Sequence, residues 1–332
     1  SHPDLFATGD DEDSVWFSTD AGGQTTLYHE GVVFDSTNAI FYVKVDLSST
    51  ADTVIYFWYG QPAITGTESI NNTWYAGTAI YHFENNTEDS LGSYDVASNS
   101  ADYTSSGMVG GGYDFERNNS DKMVITANMP IHTNNTPTVL LWIKWESYDG
   151  VNNYYALFDK GEINNTYKHP FNILAGKDFV GAKYGARIAS GSAYRLLTHT
   201  SAPSVGNWQL VSARYDYSNT TLHVSVNETD VTASTNLTIY NADLDTNIGC
   251  TNWSGYTAHV DGVMDEVWVF SEYKSIDFIK AVYNNTANYS TFITIDGAVT
   301  IGSPPIQVYP VWPTSTSHTG TVAAGIGLAA AI

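Results

Sequence analysis

WQLVSARYDYSNTTLHVSV, residues 208–226, carries two strand signals around a polar turn. Residues 208–215 and 221–226 are rich in β-branched and aromatic types. Within 222–226 apolar and polar residues alternate, as on a strand with one buried face. Working outward, 139–145, 237–240 and 262–270 read the same way. So do 40–47 and 53–59, which the polar linker 48–52 makes an expected hairpin pair. Turn-forming clusters recur between these runs, which predicts an all-β sandwich.

One helix is expected. Ser275 is its N-cap, Ile276, Ile279, Val282 and Tyr283 share one face, and Asn284-Asn285 ends it. From Tyr289 the composition shifts. Residues 291–301 suit one or two strands, and four prolines follow between Pro304 and Pro313. The last eleven residues, 322–332, are apolar but short of the roughly 20 a helix needs to span a bilayer. They suit a cut membrane anchor, a buried strand or a small-residue helix.

At 332 residues, the chain has room for two domains and a tail. Only 14% of it is charged, against roughly 25% in ordinary soluble domains. The net charge is −22, from 13 basic and 35 acidic residues. That balance speaks against nucleic acid and anionic membrane surfaces, which need clustered Lys and Arg, and permits cations. The lone Cys250 excludes an intramolecular disulfide and reads as a small core residue. Ser1–Phe6 shows neither a basic region nor an apolar run, so a leader, if the chain had one, has been removed.

Eleven Asn-x-Ser/Thr sequons stand at Asn71, Asn85, Asn118, Asn134, Asn164, Asn219, Asn227, Asn236, Asn252, Asn284 and Asn288. Composition alone gives roughly five. Six share the form Asn-Asn-Thr/Ser, and most sit where turns are expected, as attached sugars require. An extracellular, N-glycosylated protein is the expectation.

Across 78–285, ordered landmarks resemble the laminin-G/concanavalin-A-like jelly-roll family. Residues 79–84 (AIYHFE) look like its opening strand, and 112–116 with 122–125 like the next pair. Residues 139–145 (VLLWIKW) look like the first long inner strand, and 206–211 with 221–227 like the central hairpin. Residues 261–270 (DGVMDEVWVF) and the short helix look like its close. Residues 13–74 resemble a small β-domain of unknown function that precedes such jelly rolls in archaeal and bacterial surface proteins. The resemblance implies a concanavalin-A-like jelly roll at 77–288, a smaller N-terminal β-domain at 1–76 and an extended tail at 289–332. The first domain departs from its family by lacking upstream strands.

Jelly-roll relatives include glycan hydrolases, which place two carboxylates together. Here Asp265 and Glu266 are adjacent, so a regular strand sends them to opposite faces, and Asp11-Glu12-Asp13 lies outside the jelly roll. No enzyme is expected. The nine histidines lack zinc-ligand spacing, and Gly110–Gly112 lacks the Lys of a phosphate loop and reads as a turn. Many laminin-G-like modules bind calcium at a loop rim, and local Asp, Ser, Asn and Gly density picks Asp89, Asp121 and Asp261 as candidates. Jelly-roll faces also stack aromatics on sugars, and 14% of the chain is aromatic. Trp142 and Trp145, three apart, point to opposite faces, and one of them belongs to the core.

A first domain short of a strand and a strand-capable tail suggest strand donation between copies. Head-to-tail contacts of that kind build open filaments. The expected product is a surface filament or layer, with self as partner. The alternative is a membrane-anchored ectodomain that binds glycans. No cofactor beyond N-linked glycans and calcium is expected, and no direct lipid contact unless the tail is an anchor.

Overall fold

A computed structural model describes residues 15–34, 39–59, 68–131, 136–149, 154–161, 166–176, 182–241, 243–251, 259–300 and 306–311. The first strands are β1 (Trp16–Ser18), β2 (Thr26–Leu27), β3 (His29–Phe34), β4 (Ala39–Val43) and β5 (Tyr56–Tyr59). Helix α1 (Ile70–Thr73) precedes β6 (Gly77–Tyr81), β7 (Ser98–Asn99), β8 (Asp102–Thr104), β9 (Gly112–Phe115), β10 (Met123–Ile125) and β11 (Thr138–Trp145). Then come β12 (Tyr154–Lys160), β13 (Phe171–Gly176), β14 (Lys183–Ala189), β15 (Tyr194–Thr198), β16 (Trp208–Asp216), β17 (Thr221–Val226), β18 (Thr229–Ser234), β19 (Thr246–Ile248) and β20 (Gly262–Phe270). Helices α2 (Ile276–Ala287) and α3 (Tyr289–Phe292) lead to β21 (Thr294–Thr300) and β22 (Ile306–Val311).

Two compact units result. One is Ala76–Ile279; the other joins Ser1–Tyr75 to Lys280–Ile332. The described part of the expected tail, 289–300 and 306–311, therefore belongs to the terminal unit. In that terminal unit a five-stranded sheet has the order β2-β1-β5-β22-β21, and β3 pairs with β4 in a second sheet. Phe17, Phe41, Val43, Ile55, Phe57 and Tyr59 form its core.

The expected hairpin between 40–47 and 53–59 does not form: β4 pairs with β3, and β5 with β1 and β22. Ser48 organises the linker, its backbone N–H bonded to the Thr53 hydroxyl at 2.9 Å and its own hydroxyl accepting from Ala51 N–H at 3.2 Å. The two strands enter different sheets, and Phe41 meets Phe57 at 6.0 Å between ring centroids. The strand-capable tail is expected to have no partner in the jelly roll; its described strand β22 pairs with β5 of the terminal unit, through Ile306↔Tyr59 and Val308↔Phe57. The apolar run 322–332 lies outside the described residues.

The larger unit is the jelly roll. Its seven-stranded sheet runs β15-β14-β13-β12-β19-β10-β7, and its other sheet runs β18-β17-β16-β11-β20-β9-β8, with β6 also paired to β20. Between the sheets lie Tyr81, Phe83, Phe115, Leu141, Ile143, Trp145, Leu157, Phe158, Ile173, Ala186, Ile188, Val211 and Val224. Trp145 is wholly buried there, and its indole N–H donates to Tyr184 Oη at 2.8 Å. Trp142 faces the other way, as expected, but is also buried at 1% exposure. Neither tryptophan is free to stack on a sugar. Helix α2 is capped by Ser275 Oγ, which accepts from Phe278 N–H at 3.2 Å. It runs past Asn284-Asn285 to Ala287.

Strand β20 carries an irregularity that overturns the opposite-faces argument for its two acids. Trp142 pairs with Asp265 but Leu140 pairs with Trp268, so β20 holds one extra residue. Glu266 takes it up at φ +51°. A bulge resets the alternation of faces, which brings Asp265 and Glu266 into one cluster with Glu84.

Candidate functional site

Three polar constellations stand out in the jelly roll. The first is that buried acid cluster. Asp265 accepts the Met108 and Val109 N–H groups, each at 2.8 Å, and Glu84 accepts Gly111 N–H at 2.9 Å. Glu266 bonds His82 Nδ1 at 2.8 Å and the Trp268 indole at 2.7 Å. Burial, then the charge of Glu266, pushes the Asp265 carboxyl far up. Burial also pushes Glu84 up to about 7, against the Gly111 N–H bond. Asp265 and Glu266 are 0% and 1% exposed; Asp265 and Glu84 fasten loop 107–112, while Glu266 ties His82 to the Trp268 indole. The arrangement does structural work. Gly110 is required in it: at φ +65° an added Cβ would sit 1.9 Å from Glu84 Oε1.

The second constellation is acidic and lies at a loop rim. Carboxylate oxygens of Asp114, Glu116 and Glu146 come within 4.8 Å of one another. Desolvation raises all three pKa values; Asp261 repels each, and Asp114 adds its charge to Glu116 and Glu146. Among the calcium candidates, Asp121 and Asp261 flank this turn. Asp121 accepts Glu116 N–H at 2.9 Å, and Asp261 accepts Arg117 N–H at 3.2 Å and the Ser147 hydroxyl. Asp89 serves a different loop, its two oxygens accepting from Ile80, Leu91, Ser93 and Tyr94 N–H. All three act first as backbone anchors.

The third lies on the outer face of the seven-stranded sheet, away from the shared core. Cross-strand register places Leu196, Arg187, Asn172, Asp159 and Asn247 in one transverse row. Beside them Tyr154, Ala156 and Leu174 pack together with Leu196. Asp159 is wholly buried. It bonds His169 Nδ1 at 2.8 Å, the Thr251 hydroxyl at 2.7 Å and the Asn172 amide. Arg187 Nε donates to Asn172 Oδ1 at 3.0 Å. Burial disfavours an ionised Asp159, but His169 and the Arg187 guanidinium outweigh it and hold the carboxyl below its usual range. Buried ions persist only when paired in this way.

This network reaches the surface through Tyr167. That residue lies on the 3-10 turn Thr166–Lys168, next to the stretch anchored by His169. Its carbonyl accepts Gly191 N–H at 2.9 Å. Gly191 sits at φ +86°, where a Cβ would press to 2.7 Å of the Tyr240 ring. Tyr194, on the face shared with Leu196, stands beside Tyr167 with ring centroids 6.0 Å apart. The two are 45% and 42% exposed. Paired exposed tyrosines backed by fixed polar groups give an apolar plate with hydroxyls at its rim.

None of these residues was reached from the sequence. Strands β12 to β15 escaped because Asp159, Asn172 and Arg187 interrupt their apolar runs, as do the glycines at 176 and 185. The available signal was one polar residue set inside each of three successive apolar runs, Asp159, Asn172 and Arg187. Of the sequons, Asn71, Asn85, Asn118, Asn219 and Asn236 are exposed, and Asn227, Asn284 and Asn288 half-buried. Asn134, Asn164 and Asn252 lie outside the described residues.

Residues 117–279 match the model of the concanavalin A-like lectin/glucanases superfamily. No curated protein matches the sequence. Among solved structures, the fold is similar to domain 4 of AbnA, an extracellular GH43 arabinanase of Geobacillus stearothermophilus solved with arabinotriose. The TM-score is 0.50 and the identity 17%, over 61% of this chain and 96% of that one. It is also similar to the binding domain of Paraclostridial Mosquitocidal Protein 1, with a TM-score of 0.51 and 9% identity. That match covers 66% of this chain and 54% of the other, so this chain spans about half of the toxin domain. Both likenesses concern the fold alone. With the two-sheet topology and the match across 117–279, the larger unit of this chain is a concanavalin-A-like jelly roll.

Proposed function

We propose that this chain is a secreted or surface-displayed carbohydrate-binding protein that takes glycans on the outer face of its seven-stranded sheet. The exposed Tyr167–Tyr194 pair carries the reading. Two neighbouring rings offer a stacking surface for pyranose or furanose faces, and the Asp159–His169 bond holds the turn that presents one of them. The arabinotriose complex of the arabinanase domain supports this choice of ligand class. A net charge of −22 favours neutral over anionic glycans. Binding, not turnover, is the role assigned.

Isothermal titration of the full chain with neutral oligosaccharides, arabinotriose among them, tests the proposal. Tyr167→Ala and Tyr194→Ala should each weaken binding at least tenfold with an unchanged melting temperature. Binding that survives the double variant would place the site elsewhere.

A homopolymer is the second reading, supported by β22 lying between β5 and β21. The same pairing can be made by the β21–β22 hairpin of another copy, since exchange of an identical element costs little. Electron microscopy of the native protein and of a chain lacking 290–332 decides it. Filaments that vanish with the hairpin establish exchange, and dispersed particles in both samples reject it.

A further inference from the structure

Strand β18 ends its sheet: among the described residues it pairs with β17 alone. The ladder is regular over six residue pairs, Thr221↔Ser234 to Val226↔Thr229, with no bulge. Proteins guard such edges with Lys, Pro, bulges or a covering element. The sequence TDVTAS has no Lys or Pro, and among the described residues no strand pairs with its outer edge. Its one charge, Asp230, is turned to Arg214 and His223 at 2.5 and 2.9 Å. Other free edges of the jelly roll are shorter or charged: β7 has two residues, β8 has three, and β15 carries an exposed Arg195. By itself β18 is a six-residue template with two Thr and one Val, about 20 Å long.

Sequons bracket this strand. Asn227 occupies the two-residue turn before it, at φ +54°, and its Oδ1 accepts Leu210 N–H at 3.0 Å, so the oxygen rather than the nitrogen fixes the amide. Asn236 follows the strand and is exposed, while the carbonyls on either side of it, Thr235 and Leu237, accept the Tyr215 hydroxyl at 3.1 and 2.8 Å. Asn219 stands exposed at the same end, tied there by Thr235 N–H to Thr220 O at 2.7 Å.

We propose that oligosaccharides on Asn219, Asn227 and Asn236 are the guard of this edge, keeping β18 from pairing with a second copy of the chain. Each attachment joins Nδ2 to the anomeric carbon of a sugar delivered by a lipid-linked phosphate donor. The carbon–oxygen bond to the phosphate breaks, and one Nδ2 proton leaves with the departing group. The remaining N–H of Asn219 suffices for its 2.7 Å bond to Asp216.

The test uses the full chain expressed in its own cells. Glycopeptide mass spectrometry should find sugar at the three sites. The triple variant Thr221→Ala, Thr229→Ala, Thr238→Ala abolishes the sequons but keeps each Asn. It should elute as dimers and larger species in light-scattering chromatography, while the matching Ser triple stays monomeric. Adding Thr232→Lys at the exposed middle of β18 to the Ala triple should restore the monomer. Unmodified sites in the native protein, or an Ala triple that stays monomeric at the same concentrations, would overturn the proposal. So would association that Thr232→Lys leaves untouched.

Discussion

His29 in β3 should make the terminal unit acid-labile. The ring is wholly buried. Phe17 and Phe41 meet it edge-on at 5.2 and 6.1 Å, and among the described residues neither ring nitrogen makes a well-formed hydrogen bond. Burial lowers its pKa from 6.5 to about 4, and the nearby Leu27 backbone offsets this only slightly. Between those values the unfolded chain binds the proton and the folded one resists it. Stability is therefore full above pH 6.5, falls as the pH drops, and reaches its floor near pH 4. A gap of about 2.5 units at 1.36 kcal/mol each amounts to about 3 kcal/mol. For a unit of this size that is on the order of 10 °C or more in melting temperature. Paired calorimetry of the native protein and His29→Leu from pH 4 to 7.5 isolates the effect, because other groups titrate alike in both. The two melting curves should converge at high pH and separate on acidification, the variant being the more stable. Parallel curves across this window would refute the reasoning.

Asp265→Ala orphans the half-buried Met108 and buried Val109 N–H groups and should cost roughly 2–5 kcal/mol, read by urea denaturation with faster proteolysis within 107–112; a loss under about 1 kcal/mol would show that loop to be held otherwise. Glu84 has the opposite sign to His29: its pKa is raised to about 7, so stability is full below pH 4.5 and is lost as the pH rises through 7. Glu84→Gln, which keeps an acceptor for Gly111, should flatten the jelly roll's pH 5–8 profile, and an equal destabilisation at both ends would contradict this. Gly191→Ala strains a φ of +86° and meets Tyr240, so it should cost about 1–3 kcal/mol and weaken glycan binding by shifting the turn that holds Tyr167. Cys250 is buried, with its thiol pushed up to about 12, so thiol reagents at pH 8 should modify it only after unfolding.

The jelly roll was implied by the resemblance of ordered landmarks across 78–285, whereas sequence pattern by itself determined the all-β sandwich, the long strands β11, β16, β17 and β20, and the Ser275 cap. Each rests on a local signal, either period-two alternation or side-chain chemistry at a helix start. It also located the sequons, which are strictly local. Tertiary structure decided what depends on register. The row from Leu196 to Asn247 draws on strands far apart in sequence, and Tyr167 meets Tyr194 only because the β14–β15 turn brings them together. The bulge at Glu266 placed two adjacent acids in one cluster, against the alternation of a regular strand, because one extra residue resets every face after it. The pairing of β5 with β22 follows the same logic. Strand signals mark which segments are extended, but backbone hydrogen bonds carry no residue code, so only the folded chain selects which edges meet.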